Sequence, residues 1–258
     1  PASIIEAGMG GRLDATTALD YEACLITNVG LDHTEYLGDT FEQIAYEKSG
    51  VFKPNVPALT TEDKPECQKV MELVADYMKT PLCFIDCQET DVLRWNGMTF
   101  HLNPPLYQAK NLSLALETLN VLGIWLEENE IQQVIDHFKW AGRYMVLRKD
   151  PLVLLDGAHN VHGITALTQS LKDFTGKIYF SVLKEKDAPH MIELLQSISK
   201  DITLVEISSA RLYPLEKLGY PIITVDELIS RLLDTKEDSL LCGSLYYVGE
   251  VLEKWGNV

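Results

Sequence analysis

Four places in the 258-residue sequence bring together residue types that do chemistry. Glu6 precedes a glycine-rich turn, Gly8-Met9-Gly10-Gly11-Arg12. A carboxylate at the carboxyl end of a strand, beside glycines that admit a ligand to the backbone, can hold a hard cation such as magnesium. The plainer reading is a turn with a solvated Glu, since such turns are common and this one is not a GxGxxG. Asp32-His33 follows an apolar run ending at Thr27-Asn28. A histidine there is placed as a ligand or as an acid and base, and a hydrogen-bonded structural imidazole fits as well. Lys48 falls in the last turn of a predicted helix, where a cation suits the helix dipole at no functional cost. Its sharper uses are gripping a phosphate or carrying a negatively charged modification. Asp156-Gly157-Ala158-His159-Asn160 closes an apolar strand. Asp156 can take ribose hydroxyls, and Arg143 upstream can clamp a phosphate bidentately. The plainer reading is a βα turn capped by Asn or His.

The sequence contains no GxxxxGK followed by Ser or Thr, and Gly176-Lys177 leads into a strand with no glycine at the right spacing before it. Nothing in this chain is therefore expected to cradle the β- and γ-phosphates of a nucleotide as a P-loop does.

The elements that must position these residues alternate. IIEAG, residues 22–28, 57–61 and 83–85 read as strands, with residues 2–5 buried. Residues 39–49 read as a helix with Asp39 or Thr40 at its N-cap and Gly50 past its end. Residues 65–79 read as a second helix, with Val70, Leu73, Val74 and Tyr77 at helical spacing. Residues 92–102 alternate around Asn96-Gly97, which signals a type I′ hairpin. PPLYQAKN enters a helix over 108–123, and another spans 128–139. From residue 152 the strand–helix alternation restarts, with strands at 152–160, 177–183, 202–208 and 240–244. The fold class is α/β and doubly wound, with a mainly parallel sheet. A domain boundary is expected near 140–148, giving domains 1–141 and 142–258.

Net charge is −16 and hydrophobic composition 46%. No basic stripe marks a nucleic-acid binder, and no apolar run approaches the roughly 18 residues of a membrane span. Anionic substrates would need local cations, for which Arg12, Lys48, Arg143, Lys184 and Lys186 are candidates. No signal peptide is visible, and a cytoplasmic protein is expected. The five cysteines are irregularly spaced and Cys83/Cys87 lack a second pair, so reduced thiols are expected rather than a zinc site. The chain starts at Pro1 without an initiator methionine, in what reads as a core strand, so a fragment is expected.

Read in order, these segments resemble folylpolyglutamate and dihydrofolate synthases of the Mur ligase superfamily. EAGMGGRLDATT is similar to that family's E-x-G-x-G-G-R-x-D-x-T-N. TNVGLDH and YEKSGVF resemble its I-G-x-D-H and E-K-x-G-I, and YQAKNLSLAL resembles its H-Q-x-x-N-x-x-x-A-L helix. AGRYMV, LLDGAHN, SVLKEKD and CGSLYYVGEV match later segments. Thr17 and Tyr107 depart from the family's usual Asn and His, and the family's phosphate loop is missing.

The resemblance implies a partial Mur-ligase-type central ATPase domain followed by a Rossmann-like C-terminal domain that binds glutamate. It implies an ATP- and Mg2+-dependent ligase joining L-glutamate to the γ-carboxylate of folate, and leaves open a monovalent cation as a further ligand and a second activity that turns dihydropteroate into dihydrofolate. This chain by itself would be inactive for want of the P-loop. Glu6 and His33 would hold a metal, and Lys48 would be carbamoylated. Gln108 and Asn111 would meet adenine, Arg143 the phosphates and Asp156 the ribose or nucleotide. His159 and Ser244 would face glutamate. Arg12, Asp14 and Ala15 would lie by the pterin pocket. The protein would be a monomer binding small molecules, with neither nucleic acid nor membrane as partner. Another Mur-type ligase, a non-catalytic nucleotide- or folate-binding chain, and a purely structural protein are the competing readings.

Overall fold

A computed structural model describes residues 3–88, 90–103 and 105–256. The chain divides into two compact units, one up to His137 and one from Phe138.

The first unit contains a parallel sheet of β1 (Cys24–Ile26), β2 (Ala58–Thr60) and β3 (Leu82–Phe84), in that order. α1 (Thr34–Leu37) and α2 (Phe41–Ser49) connect β1 to β2, and α3 (Pro65–Met78) connects β2 to β3. Thr40 starts α2 through a capping box: its side chain accepts from the Gln43 amide, while the Gln43 side chain accepts from the Thr40 amide. Ile44 and Ala45 of α2 then pack with Cys67, Met71 and Ala75 of α3 against Cys24 and Ile26. β4 (Val92–Trp95) and β5 (Met98–His101) form an antiparallel hairpin. Asn96 (φ 47°) and Gly97 (φ 82°) are both left-handed, as a type I′ turn demands. α4 (Gln108–Val121) and α5 (Glu128–His137) complete this unit. Leu93, Phe100, Leu116 and Ile131 form a small core beneath the hairpin.

Two expectations are corrected here. Residues 3–5 form no strand, and Ile4 and Ile5 are 95% and 47% exposed. An apolar run becomes a strand only when a neighbour completes its hydrogen bonds, and no partner pairs with it among the described residues. Residue 2 lies outside them, as does Pro104 of the PPLYQAKN loop. The stripe read on α3 is half right: Val70 and Val74 pack against the core of this unit, whereas Leu73 and Tyr77 are 63% and 86% exposed. Cys67, Met71 and Ala75 are the buried residues, one turn apart on the side that meets α2.

The second unit is one six-stranded sheet in the order β10-β9-β8-β11-β7-β6. β6 (Met145–Lys149) runs antiparallel to β7 (Leu152–Leu155). The remaining pairs, through β8 (Lys177–Phe180), β9 (Ile202–Glu206), β10 (Ile222–Thr224) and β11 (Ser239–Cys242), are parallel. α6 (Val161–Ser170) and α7 (Ala188–Leu195) pack on one face with Leu154, Ile178, Phe180, Leu204 and Leu240. α8 (Val225–Asp234) and α9 (Leu245–Trp255) pack on the other with Val153, Leu155, Tyr179, Val205 and Leu241. Adjacent residues of the inner strands thus enter opposite cores, which is why β7, β8, β9 and β11 are largely apolar rather than alternating.

Candidate active site

In the first unit the glycine turn folds onto the end of α2. The Arg12 amide donates to the Glu47 carbonyl at 2.8 Å. The Arg12 guanidinium pairs with the Glu47 carboxylate at 2.8 Å and lies 5.6 Å over the Tyr46 ring. That carboxylate holds the Arg12 pKa above its ordinary value. The contact needs glycine on both sides. A Cβ on Gly11 would meet the Lys48 carbonyl at 2.7 Å, and one on Gly50 would meet Arg12 Cα at 2.2 Å.

Asp14 organises the rest of the turn. Oδ2 accepts from the amides of Gly8 (2.8 Å) and Met9 (3.3 Å), and Oδ1 from the Thr16 amide (2.9 Å) and hydroxyl (2.6 Å). These donors, the Thr16 hydroxyl foremost, bring its pKa down to about 2. Asp14 caps the 3-10 turn Ala15–Ala18, on which Ala15 is exposed.

Lys48 is half-buried beside this turn, and burial pushes its amine below the ordinary lysine pKa while the charge of Asp32 opposes that shift. His33 follows Asp32 with left-handed backbone (φ 52°), its amide donating to Asp32 Oδ1 at 2.9 Å. Glu6 and His33 are both exposed, and Glu6 lies outside any strand. Among the described residues no group of three or more His, Cys, Asp or Glu side chains can hold a metal ion. Glu6 and His33 supply one carboxylate and one imidazole. One carboxylate and one imidazole are donor types that an ion with water and phosphate oxygens in its other positions accepts, the usual habit of magnesium at phosphate sites.

Gln108 and Asn111 stand one turn apart at the start of α4, where Asn111 Nδ2 donates to Gln108 Oε1 at 3.0 Å. The pair presents side-chain amides of the type that read a nucleobase edge.

In the second unit Asp156 follows β7 and is 3% exposed. Its Oδ2 accepts from the Tyr144 amide at 2.7 Å and its Oδ1 from the Ala158 amide at 2.8 Å. Burial raises its pKa, against these bonds and the charge of Arg143. The Gly157 amide donates to the Gly142 carbonyl at 2.7 Å. A Cβ on Gly157 would come within 2.9 Å of the Arg143 guanidinium, which is how closely Arg143 lies over the turn. His159 Nδ1 is 2.9 Å from the Gly157 carbonyl, and Asn160 caps α6 by accepting from the Gly163 amide at 2.7 Å. Ser244, 1% exposed, caps α9 by accepting from the Tyr246 amide at 3.2 Å. It follows Gly243, whose φ of 116° only glycine adopts easily. The structure thus gathers Arg143, Asp156 and His159 around one turn.

Sequence reasoning missed Glu47, the partner of Arg12, and Glu62 and Lys64, which lie just past β2. The TTEDK run at a strand end carried a signal for the latter pair, because ligands and their supports gather at such ends.

An α/β chain with these charged strand-end turns matches what the resemblance to Mur-type ligases implies. The comparisons narrow the class. The chain is 33% identical over 275 residues to the dihydrofolate synthase/folylpolyglutamate synthase of Buchnera aphidicola from Acyrthosiphon pisum, covering 96% of this chain and 66% of that one. It is 30% identical over 277 residues to the same protein of Escherichia coli, covering 97% and 64%. Solved structures agree: Escherichia coli FolC with ADP superposes with a TM-score of 0.84 at 28% identity, over 97% of this chain and 66% of that one. FolC with DHPP and ADP gives 0.81 at 27%, over 97% and 65%. A bifunctional folylpolyglutamate synthase/dihydrofolate synthase with Mn, AMPPNP and L-glutamate gives 0.83 at 26%, over 97% and 66%. No family model matches the chain. The chain belongs to the folylpolyglutamate synthase/dihydrofolate synthase family, and it spans about half to two thirds of the length of the curated relatives it matches.

Proposed function

We propose that the protein carrying this chain is an ATP-dependent ligase that adds L-glutamate to the γ-carboxylate of a folate, and that it also converts dihydropteroate to dihydrofolate. The observation that carries the reading is the match to relatives of both named activities along nearly the whole chain. Neighbouring structures that hold ADP, AMPPNP, Mn and L-glutamate support the nucleotide, the divalent ion and the amino acid.

In this reading a carboxylate oxygen of the folate attacks the γ-phosphorus of ATP and ADP leaves. The α-amine of glutamate then attacks the acyl carbon and gives up a proton to solvent, and phosphate departs with the C–O bond electrons. The protein positions the reactants and stabilises charge. Glu6 and His33 would hold Mg2+, whose contribution is to neutralise phosphate charge. Burial lowers the pKa of the Lys48 amine, and an amine in its neutral form can add to CO2, losing a proton to water, to become a carbamate. Gln108 and Asn111 would meet adenine, and Arg143 the phosphates. Asp156, with both oxygens on backbone amides, would serve nucleotide binding by fixing the turn under Arg143. His159 and Ser244 would face glutamate, and Arg12, Asp14 and Ala15 the pterin side. A monovalent cation, a cytoplasmic location and a monomeric state complete the proposal. No helix of the described residues is long and apolar enough to cross a membrane. The chain holds no GxxxxGK run, so turnover is proposed to need a phosphate loop supplied with it.

The test is phosphate release that depends on ATP, Mg2+, glutamate and folate, run on this chain and on the longer protein. Turnover by the longer protein alone, abolished by Glu6→Ala or His33→Ala, is the expected result. Absence of turnover with every folate tried would overturn the substrate assignment.

A further inference from the structure

The Glu62 side chain is completely buried just past β2. Its Oε1 accepts from the Lys64 amide at 2.8 Å and from Lys64 Nζ at 3.1 Å. Its Oε2 accepts from the Val29 amide. Lys64 Nζ also donates to the Val29 carbonyl at 3.0 Å and sits 5.4 Å over the Phe41 ring. Both polar groups of Val29 are therefore held by side chains of a single segment. The neighbouring Thr61 hydroxyl adds a third stitch, donating to the Thr27 carbonyl at 2.7 Å. Val29 itself is fully buried in the core of this unit. Residues 27–29 thus continue beyond β1 along a path fixed by side chains, where a sheet would fix it by backbone pairing. Asp32 and His33 come three and four residues later.

Stability alone is a weak reason for such a pair. Buried ion pairs are often matched or exceeded by apolar residues of similar volume. What the pair supplies is direction, since it holds one peptide at both its N–H and its C=O.

We infer that Glu62 and Lys64 are positioning residues that aim the Asp32-His33 turn at the metal held in the proposed reaction. The inference rests on the assignment of His33 as a ligand. Neither Glu62 nor Lys64 touches the metal. Their part is that of outer partners that orient a ligand, whose loss costs about 10–100-fold in metal affinity.

Glu62→Gln tests this, because a carboxamide can accept one of these bonds but turns a second donor toward the Val29 or Lys64 donors. Lys64→Met is the second variant, and it leaves the Val29 amide paired. The probe is Mn2+ alone, with its dissociation constant read from the free-ion paramagnetic resonance signal on the 258-residue chain. Broadening of the His33 ring proton signals and the melting temperature are recorded alongside. We expect Mn2+ to broaden the His33 signals, His33→Ala to weaken binding, and both variants to weaken it by about tenfold or more while still melting cooperatively. Unchanged Mn2+ affinity in a folded but less stable variant overturns the inference and leaves a merely structural pair. If His33→Ala leaves Mn2+ affinity unchanged, the ligand assignment fails and takes this inference with it. If Glu62→Gln does not fold, Lys64→Met decides.

Discussion

The Asp156 carboxylate receives the amide of Tyr144 at 2.7 Å, and Tyr144 has left-handed backbone (φ 45°) in a position that any β-carbon-bearing residue occupies at a cost. The bond turns the chain immediately after Arg143 and lays the guanidinium over Gly157. Removing the carboxylate therefore does two things. Asp156→Ala leaves the Tyr144 and Ala158 amides without an acceptor, at about 1–3 kcal/mol each. It also releases Arg143, so the KM for ATP of the longer protein should rise more than kcat falls. Urea unfolding and steady-state kinetics check the two halves separately. A stability loss with unchanged KM for ATP would confine Asp156 to the fold.

Asp14 should set an acid limit for the glycine turn. Its pKa lies at about 2, below the ordinary 3.8. The folded state therefore binds this proton less readily than the unfolded state. Its contribution is complete above 3.8 and is lost as the pH falls through about 2. Amide protection at Gly8 and Met9 should decay across that window, and Asp14→Asn should abolish the decay by lowering protection at every pH. Protection that is flat from neutral pH to the bottom of the window would show that other contacts hold the turn.

Several of these positions were legible in the sequence because a local rule specified them. Asp39-Thr40 announces the start of α2, where Thr40 proves to be the cap, and Asn96-Gly97 announces the hairpin, since each signal lies within four residues of the geometry it dictates. The four inner strands of the second unit were legible because helices cover both faces and leave them apolar, whereas the edge strands β6 and β10, each partly exposed, were not. Residues 3–5 misled for the opposite reason: their composition suits a strand, but composition does not provide a partner. The Glu62–Lys64 clamp on Val29 was not legible, because it joins segments more than 30 residues apart and leaves no period behind. The turn at Tyr144 escaped likewise, since its left-handed backbone is imposed by a carboxylate 12 residues downstream.

Lys48 offers a pH test with the opposite sign. Burial lowers its pKa below the ordinary 10.5, so the unfolded chain binds this proton more readily than the folded one. Its contribution to stability should rise with pH between the lowered value and 10.5. Lys48→Met should remove that slope and raise stability at neutral pH, while lowering turnover of the longer protein by about 10–100-fold or more, the effect of losing a group that tunes a metal. A carbamate carbon signal that grows with labelled bicarbonate and vanishes in Lys48→Met would establish the modification. Its absence in the wild type would leave Lys48 as an unmodified amine.

The orientation of α3 separates two residues that sequence alone treats as equals. Met71 is fully buried between α2 and β1, and Leu73, two positions on, is 63% exposed. A helix turns about 100° per residue, so two positions carry a side chain to nearly the opposite face. Met71→Ala should cost about 2–5 kcal/mol, because it removes buried methylenes and leaves a cavity beside Ile44 and Cys67. Leu73→Ala should stay within about 0.5 kcal/mol, because its side chain is already largely in water. Urea denaturation of the two variants decides between them. Equal losses would rotate α3 toward the face read from Leu73 and Tyr77, and would displace the packing that seats α2, Lys48 and the glycine turn.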